Sequence, residues 1–238
     1  MSLPRFVLPL SGPPSENLLL PLDPEQARHL NVLRLLPGDA LELLLPSGPW
    51  RADLAELTKR GAIVRLVGPL GEDREPPMPL HACLPLTAHL SLWDEWLPGA
   101  VELGATLIQP VIFARSEFDA RKTAPKMERW RRIVTAACEQ SHRSRIPELR
   151  EPVPFEALLA WEAPQKWVAY ELRTEEKNPA LRREPLAFTH GPEGGITDPE
   201  FAALHLAGWA PISLGASILR AVTCPGAILG AVQFELGR

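Results

Sequence analysis

Two apolar runs near the end of the chain, Leu186–Phe188 and Pro211–Leu214, each lead into a glycine turn. Gly191, Gly194 and Gly195 follow the first run and Gly215 follows the second. Glycine is used where the backbone must take a positive φ, or where another group must approach the main chain closely. Buried strands that end in such turns predict an open α/β sheet with a ligand crevice outside the strands' carboxyl ends. Gly191-Pro-Glu-Gly-Gly195 lacks the G-x-G-x-x-G order of a dinucleotide fold and the G-K-[ST] ending of a P-loop. Gly215-Ala-Ser217-Ile-Leu219 lacks the second glycine of a nucleophile elbow.

The rest of the chain divides in two. Residues 3–70 read as short strands split by proline and glycine turns, which predicts a small barrel. The strands are expected at Arg5–Leu8, Leu41–Leu45, Trp50–Leu57 and Ala62–Val67. Asp23 as N-cap and Pro24 at the first helical position open a helix running to about Val32. Pro69–Pro79 carries four prolines and four charges, with few side chains able to pack, and so predicts a linker over residues 71–79. From Leu80 the pattern alternates strand and helix, as in an α/β domain over residues 80–238. Its strands are expected at Leu80–Leu86, Leu107–Phe113, Trp167–Tyr170, Leu186–Thr189 and Pro211–Leu214. Helices are expected over Leu92–Leu103, over Lys126–Ser144, after a Thr197/Glu200 capping box, and from about Thr223. In the second of these, Trp130, Ile133, Val134, Ala137 and Cys138 form one apolar stripe.

The net charge of −4 argues against a nucleic-acid protein, but its distribution does not. Residues 115–145 hold nine Lys/Arg against four acids, a local excess that suits an RNA-facing stripe as well as a solvated helix face. The six histidines and three cysteines show no metal-ligand spacing, so no metal is predicted and the thiols are read as buried. The absence of a long apolar run and of a signal-peptide pattern predicts a soluble, cytoplasmic protein.

Taken together, G-P-E-G-G and, some twenty residues on, L-G-x-x-I-L-R-x-x-T resemble the SPOUT class of methyltransferases. Within it the chain resembles the family that methylates uracil N3 in 16S, small-subunit, ribosomal RNA. His29-x-x-Val32-Leu33-Arg34-x-x-x-Gly38-Asp39, Glu102-Leu-Gly104 and Gln140-Ser-His-Arg143-Ser-Arg145-Ile-Pro147 match further family signatures. The resemblance implies a PUA-like N-terminal barrel that binds RNA, a C-terminal α/β domain tied in a deep trefoil knot, and a homodimer. The apolar segment Ile228–Val232 would supply buried dimer contact. It also implies S-adenosylmethionine held by Glu171, Leu172, His190, Gly191, Gly194, Gly195, Ser213, Leu214, Gly215, Ile218, Leu219 and Arg220. The partner would be small-subunit ribosomal RNA or the assembled subunit, met by Arg34, Arg129, Arg132, Gln140, Arg143 and Arg145. Gln140 and Arg143, three apart, are expected on one helix face, and Glu128/Arg132 and Glu139/Arg143 as i,i+4 pairs.

Uracil N3 must lose its proton to become a nucleophile, so the chemistry needs a proton acceptor and a cation for the resulting anion. Arg220 and Arg143 are the expected cations and Glu193 the expected acceptor. Three departures from the family pattern stand out. No lysine precedes Glu102-Leu-Gly104, Ser217 stands where an arginine is usual, and Val222-Thr-Cys224 replaces E-T-A. They leave open a non-catalytic RNA- or ribosome-binding protein that kept the fold; an enzyme using another phosphate-bearing cofactor is disfavoured by the missing fingerprints.

Overall fold

A computed structural model describes residues 3–58, 60–71, 73–116, 123–170 and 177–237. They form two compact units, Met1–Glu75 with Cys138–Arg145, and Pro76–Ala137 with Ile146–Arg238.

The first unit is built on a five-stranded sheet of order β1-β3-β4-β5-β2. Its strands are β1 (Arg5–Val7), β2 (Leu19–Leu22), β3 (Ala40–Leu45), β4 (Gly48–Leu57) and β5 (Ala62–Pro69). β1 pairs β3 in parallel and the other ladders are antiparallel. The strand β2 was not predicted: its leucine run does not alternate by residue type, and Pro21 reads as a breaker. Its burial nevertheless alternates, with Leu20 and Leu22 inside, and it sits at the end of the sheet where proline is tolerated. Helix α1 (Pro24–Val32) starts as expected, with a reciprocal Asp23/Gln26 capping box. It ends with Arg34 in a left-handed conformation, φ 60°. Leu35 N then donates to Leu30 O and Arg34 N to Asn31 O, a Schellman stop that closes without glycine. Leu30, Leu41, Leu43, Ala52, Val64 and Leu66 fill the core beneath it.

The second unit is a wholly parallel sheet of order β12-β10-β11-β6-β7-β8, with β9 also on β7. The strands are β6 (Leu80–Pro85), β7 (Leu107–Ile112), β8 (Glu148–Leu149), β9 (Val153–Pro154), β10 (Gln165–Ala169), β11 (Leu186–His190) and β12 (Ala210–Ile212). The helices are α2 (Leu92–Glu102), α3 (Ala124–Ser141), α4 (Glu156–Leu159), α5 (Asp198–Leu206) and α6 (Cys224–Glu235). Leu186, Ala187, Phe188 and Thr189 are completely buried, as a strand covered on both faces must be. The Thr197/Glu200 capping box forms, and α6 begins with Pro225 in its first turn, as the sequence requires. The short β8, β9 and α4 went unpredicted because elements of two to four residues carry no period.

Several expectations need correction. Within the 71–79 stretch, expected as a linker in which few side chains pack, Glu75 and Met78 are buried, Glu75 on a charged partner, while the other described residues are half-buried or exposed. The helix expected to reach Ser144 stops at Ser141, where His142 turns left-handed with φ 55°. Arg143 therefore shares no helix face with Gln140 and makes no i,i+4 pair with Glu139. Its guanidinium, 4% exposed, lies in a two-point ion pair with Glu75, whose Oε1 also accepts Ser144 N and Arg145 N at 2.9 and 3.0 Å. Glu139 instead accepts Val7 N at 2.7 Å, and burial holds its carboxyl above the ordinary value. The large apolar side chains of the α6 segment are spent inside its own unit, with Ile228, Leu229 and Val232 at 0–1% exposure; the large apolar side chain that α6 exposes is Phe234.

Candidate active site

The parallel sheet brings three strand ends side by side. Ala169 of β10 is in register with His190 of β11 on one side and Ile212 of β12 on the other. Residues at these ends and in the loops that follow β11 and β12 line a cavity of about 630 Å³. Ala169, Tyr170, the turn His190–Gly195, and Ile212–Val222 line it, with Leu92 and Cys224. The structure thus gathers His190, Gly191, Glu193, Gly194, Gly195, Ser213, Leu214, Gly215, Ile218, Leu219 and Arg220 around one space. Glu171 and Leu172 lie outside the described residues.

The first turn is compact. Gly195 N donates to Pro192 O at 2.9 Å, and Gly195 takes a φ of 75°. A Cβ on Gly191 would lie 2.9 Å from Gly195 C and Ile196 N, so the turn folds back onto this glycine. His190 beneath it is 1% exposed, bonded through Nδ1 to Gly191 O at 2.8 Å, and set edge-on to Trp96. A carbonyl only accepts, so Nδ1 carries a proton. Burial pushes its pKa down to about 4.

The second turn is open. Residues 215–218 are exposed, Ile218 by 79%, and a Cβ on Gly215 would meet nothing, although its φ is 124°. Ser213 is held at both backbone groups by one amide, accepting from Asn178 Nδ2 at 2.7 Å and donating to Asn178 Oδ1 at 2.8 Å. Arg220 is exposed at the cavity wall, and its guanidinium has no acidic partner among the described residues. Ser217, Val222 and Cys224 also line the cavity, so two of the three departures from the family pattern fall on its wall. Cys224 is half-buried, unlike the enclosed Cys83 and Cys138.

The expected basic stripe is largely paired. Arg129 grips Asp94 at 3.0 Å, which raises its pKa, while Arg131 bonds Glu151 and Arg132 lies 3.7 Å from Glu128. Arg145 is exposed, 3.9 Å from Asp73, and Gln140 and Arg34 are exposed. Arg121 and Lys122 lie outside the described residues. Two residues escaped sequence reasoning, Asn178 and Arg115, whose Nη1 donates to Gly194 O at 2.8 Å. Their partners lie 35 and 79 positions away, beyond any local pattern. Among the described residues no cluster of three or more His, Cys, Asp or Glu could hold a metal ion.

A parallel α/β unit with its cavity at three carboxyl strand ends follows a small mixed-sheet unit, and both parts match families of RNA methyltransferases. The RNA methyltransferase domain family matches residues 74–233, and the RNA methyltransferase PUA domain family matches residues 22–67. The ribosomal RNA small subunit methyltransferase E of Synechocystis is 34% identical over 85% of this chain and 68% of its own. That of Bacillus subtilis is 28% identical over 89% and 88%. The crystal structure of the Neisseria gonorrhoeae enzyme of that name, bound to S-adenosylmethionine, is 32% identical and covers 98% of this chain and 97% of its own, with a TM-score of 0.88. The chain belongs to the ribosomal RNA small subunit methyltransferase E family.

Proposed function

We propose that this chain binds S-adenosylmethionine in the cavity at the ends of β10, β11 and β12 and methylates uracil N3 in small-subunit ribosomal RNA. The cavity itself is the observation that carries this reading. Its volume lies within the roughly 300–1,000 Å³ of small-ligand sites. Its wall of glycine main chain, Ile212, Leu214, Leu219 and Val222 suits a cofactor with an apolar adenine ring and several hydrogen-bonding groups. When bound, that cofactor supplies an electrophilic methyl group on a sulfonium. The chain's own residues act on the base. Glu193, on the exposed first turn, accepts the N3 proton, and Arg220 stabilises the charge that spreads over O2 and O4. Arg143 is assigned no contact with RNA, because its charge is committed to Glu75 within the first unit.

The PUA-like segment over residues 1–70, with exposed Arg34, is proposed to bind RNA, together with Gln140, Arg145, Arg129 and Arg132. The same reading has the C-terminal domain knotted and the protein a cytoplasmic homodimer, with exposed Phe234 at the subunit contact. A monomer by light scattering at micromolar concentration would count against the dimer. The non-catalytic alternative is not favoured, since a pure binder has no use for a cofactor-sized cavity. Incubating the protein with labelled S-adenosylmethionine and unmodified small subunits should place the label on N3 of one uracil. No transfer, or transfer to a different atom, would refute the activity.

A further inference from the structure

We propose that Arg115 is a positioning residue for methyl transfer, holding the G-P-E-G-G turn in its cofactor-binding shape through one hydrogen bond to Gly194 O; this rests on the reading of the cavity above. A turn with three glycines in five residues has more backbone freedom than one without them, and ordering it costs binding energy unless something fixes it beforehand. Within the turn, Gly195 N to Pro192 O is the one backbone bond that closes it. The carbonyl of exposed Gly194 is fixed from outside, by Arg115 Nη1 at 2.8 Å.

The arginine stem is fitted to this task. A Cβ on Gly194 would lie 3.1 Å from Arg115 Cβ and 3.4 Å from its Cδ, so the side chain runs along the face that the missing Cβ leaves open. The backbone that carries Arg115 is itself anchored. Ala114 N donates to Glu200 Oε1 at 2.7 Å, and Phe113 N to Ser116 Oγ at 2.9 Å. Glu200 is the buried member of the capping box that starts α5, directly after the turn, with its Oε2 on Thr197 N at 2.9 Å. The loop after β7 is therefore tied at two points to the segment after β11, once at the turn and once at the helix start. Arg115 faces no carboxylate at ion-pair distance among the described residues, so its charge remains for the carbonyl. Arg115 acts through Gly194 and the turn; no contact with the reacting atoms is assigned to it.

The test uses the full-length protein, with S-adenosylmethionine binding measured by calorimetry and methyl transfer measured as single turnovers. Removing a charge-assisted bond at an exposed rim should weaken binding by roughly 5- to 30-fold in Arg115→Ala. The rate with cofactor and RNA both saturating should stay within about threefold of the wild type, so the defect appears in KM and not in kcat. Arg115→Lys, with a charged donor on a long stem, should recover most of the lost affinity, while Arg115→Met, of similar length without a donor, should not. An unchanged dissociation constant in Arg115→Ala overturns the proposal. A large fall in the saturated rate also overturns it, by placing the residue in the chemistry. Equal loss of affinity and of thermal stability in the lysine and methionine variants overturns it as well, by making the residue merely structural. Should the alanine variant not fold, the lysine and methionine pair decides. Failure of the wild type to bind the cofactor refutes the cavity reading itself, a result distinct from any difference among the variants.

Discussion

The two glycine turns of the cavity look alike in sequence and differ in physics. In the first, Gly191 is required by space: a Cβ there would lie 2.9 Å from the backbone of Gly195 and Ile196, closer than side chains come. In the second, Gly215 is required by conformation alone, with a φ of 124° and open space around it. The first turn is tied down by its own 192–195 bond, by His190 beneath it and by Arg115 beside it. The second is anchored at Ser213 by Asn178 and then runs exposed to Ile218. One wall is preset and the other open, which suits a site that must hold a cofactor firmly while admitting a base drawn from folded RNA.

The comparison can be broken most severely at Arg220, the cation of the open wall. Arg220→Ala should lower the single-turnover rate at saturating cofactor and RNA by about 10²–10³-fold, the usual loss for one preorganised donor to a developing anion. Cofactor affinity measured alongside should change little; an unchanged rate would remove the chemical role from the second turn.

Acid should strike the preset wall instead. His190 has a folded pKa of about 4 against its ordinary 6.5, so between those values the unfolded chain takes up a proton that the folded chain refuses. Stability contributed by the neutral, buried ring is present above pH 6.5 and is lost as pH falls towards 4, by about 3 kcal/mol. His81, also lowered mainly by burial, adds a loss of the same sign. Urea unfolding across this range should show the decline, and His190→Gln, which cannot titrate yet keeps a donor for Gly191 O, should flatten part of it.

Alanine at the two glycines sharpens the distinction between space and conformation. Gly191→Ala should cost about 1–3 kcal/mol of stability through overpacking and abolish cofactor binding. Gly215→Ala should cost roughly 1 kcal/mol, from backbone strain without a clash. Equal losses by denaturant titration would erase the difference drawn between the turns.

The smallest effect is expected away from both turns. Arg129 and Arg132 already have acidic partners, so an RNA phosphate must compete with them. Replacing both with alanine should flatten the dependence of RNA affinity on salt by at most about 0.7–0.9 log unit per log unit of salt for each phosphate they neutralise. An unchanged slope would return them to the solvated helix face.

Much of this molecule was legible in its residues because the forces involved are local. Asp23 and Thr197 start helices by bonding groups three residues on. Trp130, Val134, Ala137 and Cys138 fall on one buried side of α3 because the helical period places them there. The apolar runs before Gly191 and Gly215 became strands for the same kind of reason, and the family motifs around them marked the site. The tertiary structure alone decided which distant groups meet. The strand order that puts β10 between β11 and β12 brings three strand ends to one cavity, and no spacing encodes that order. The end of α3 was set at Ser141 by His142 and by Glu75 gathering Arg143, Ser144 N and Arg145 N from about seventy residues away, where helical periodicity alone would have continued. Arg115 looked like one charge in a basic stretch until the fold laid it along Gly194. A side chain's role is readable from sequence when its partner lies within a helical turn; when the partner arrives only through folding, the chain specifies the contact without displaying it.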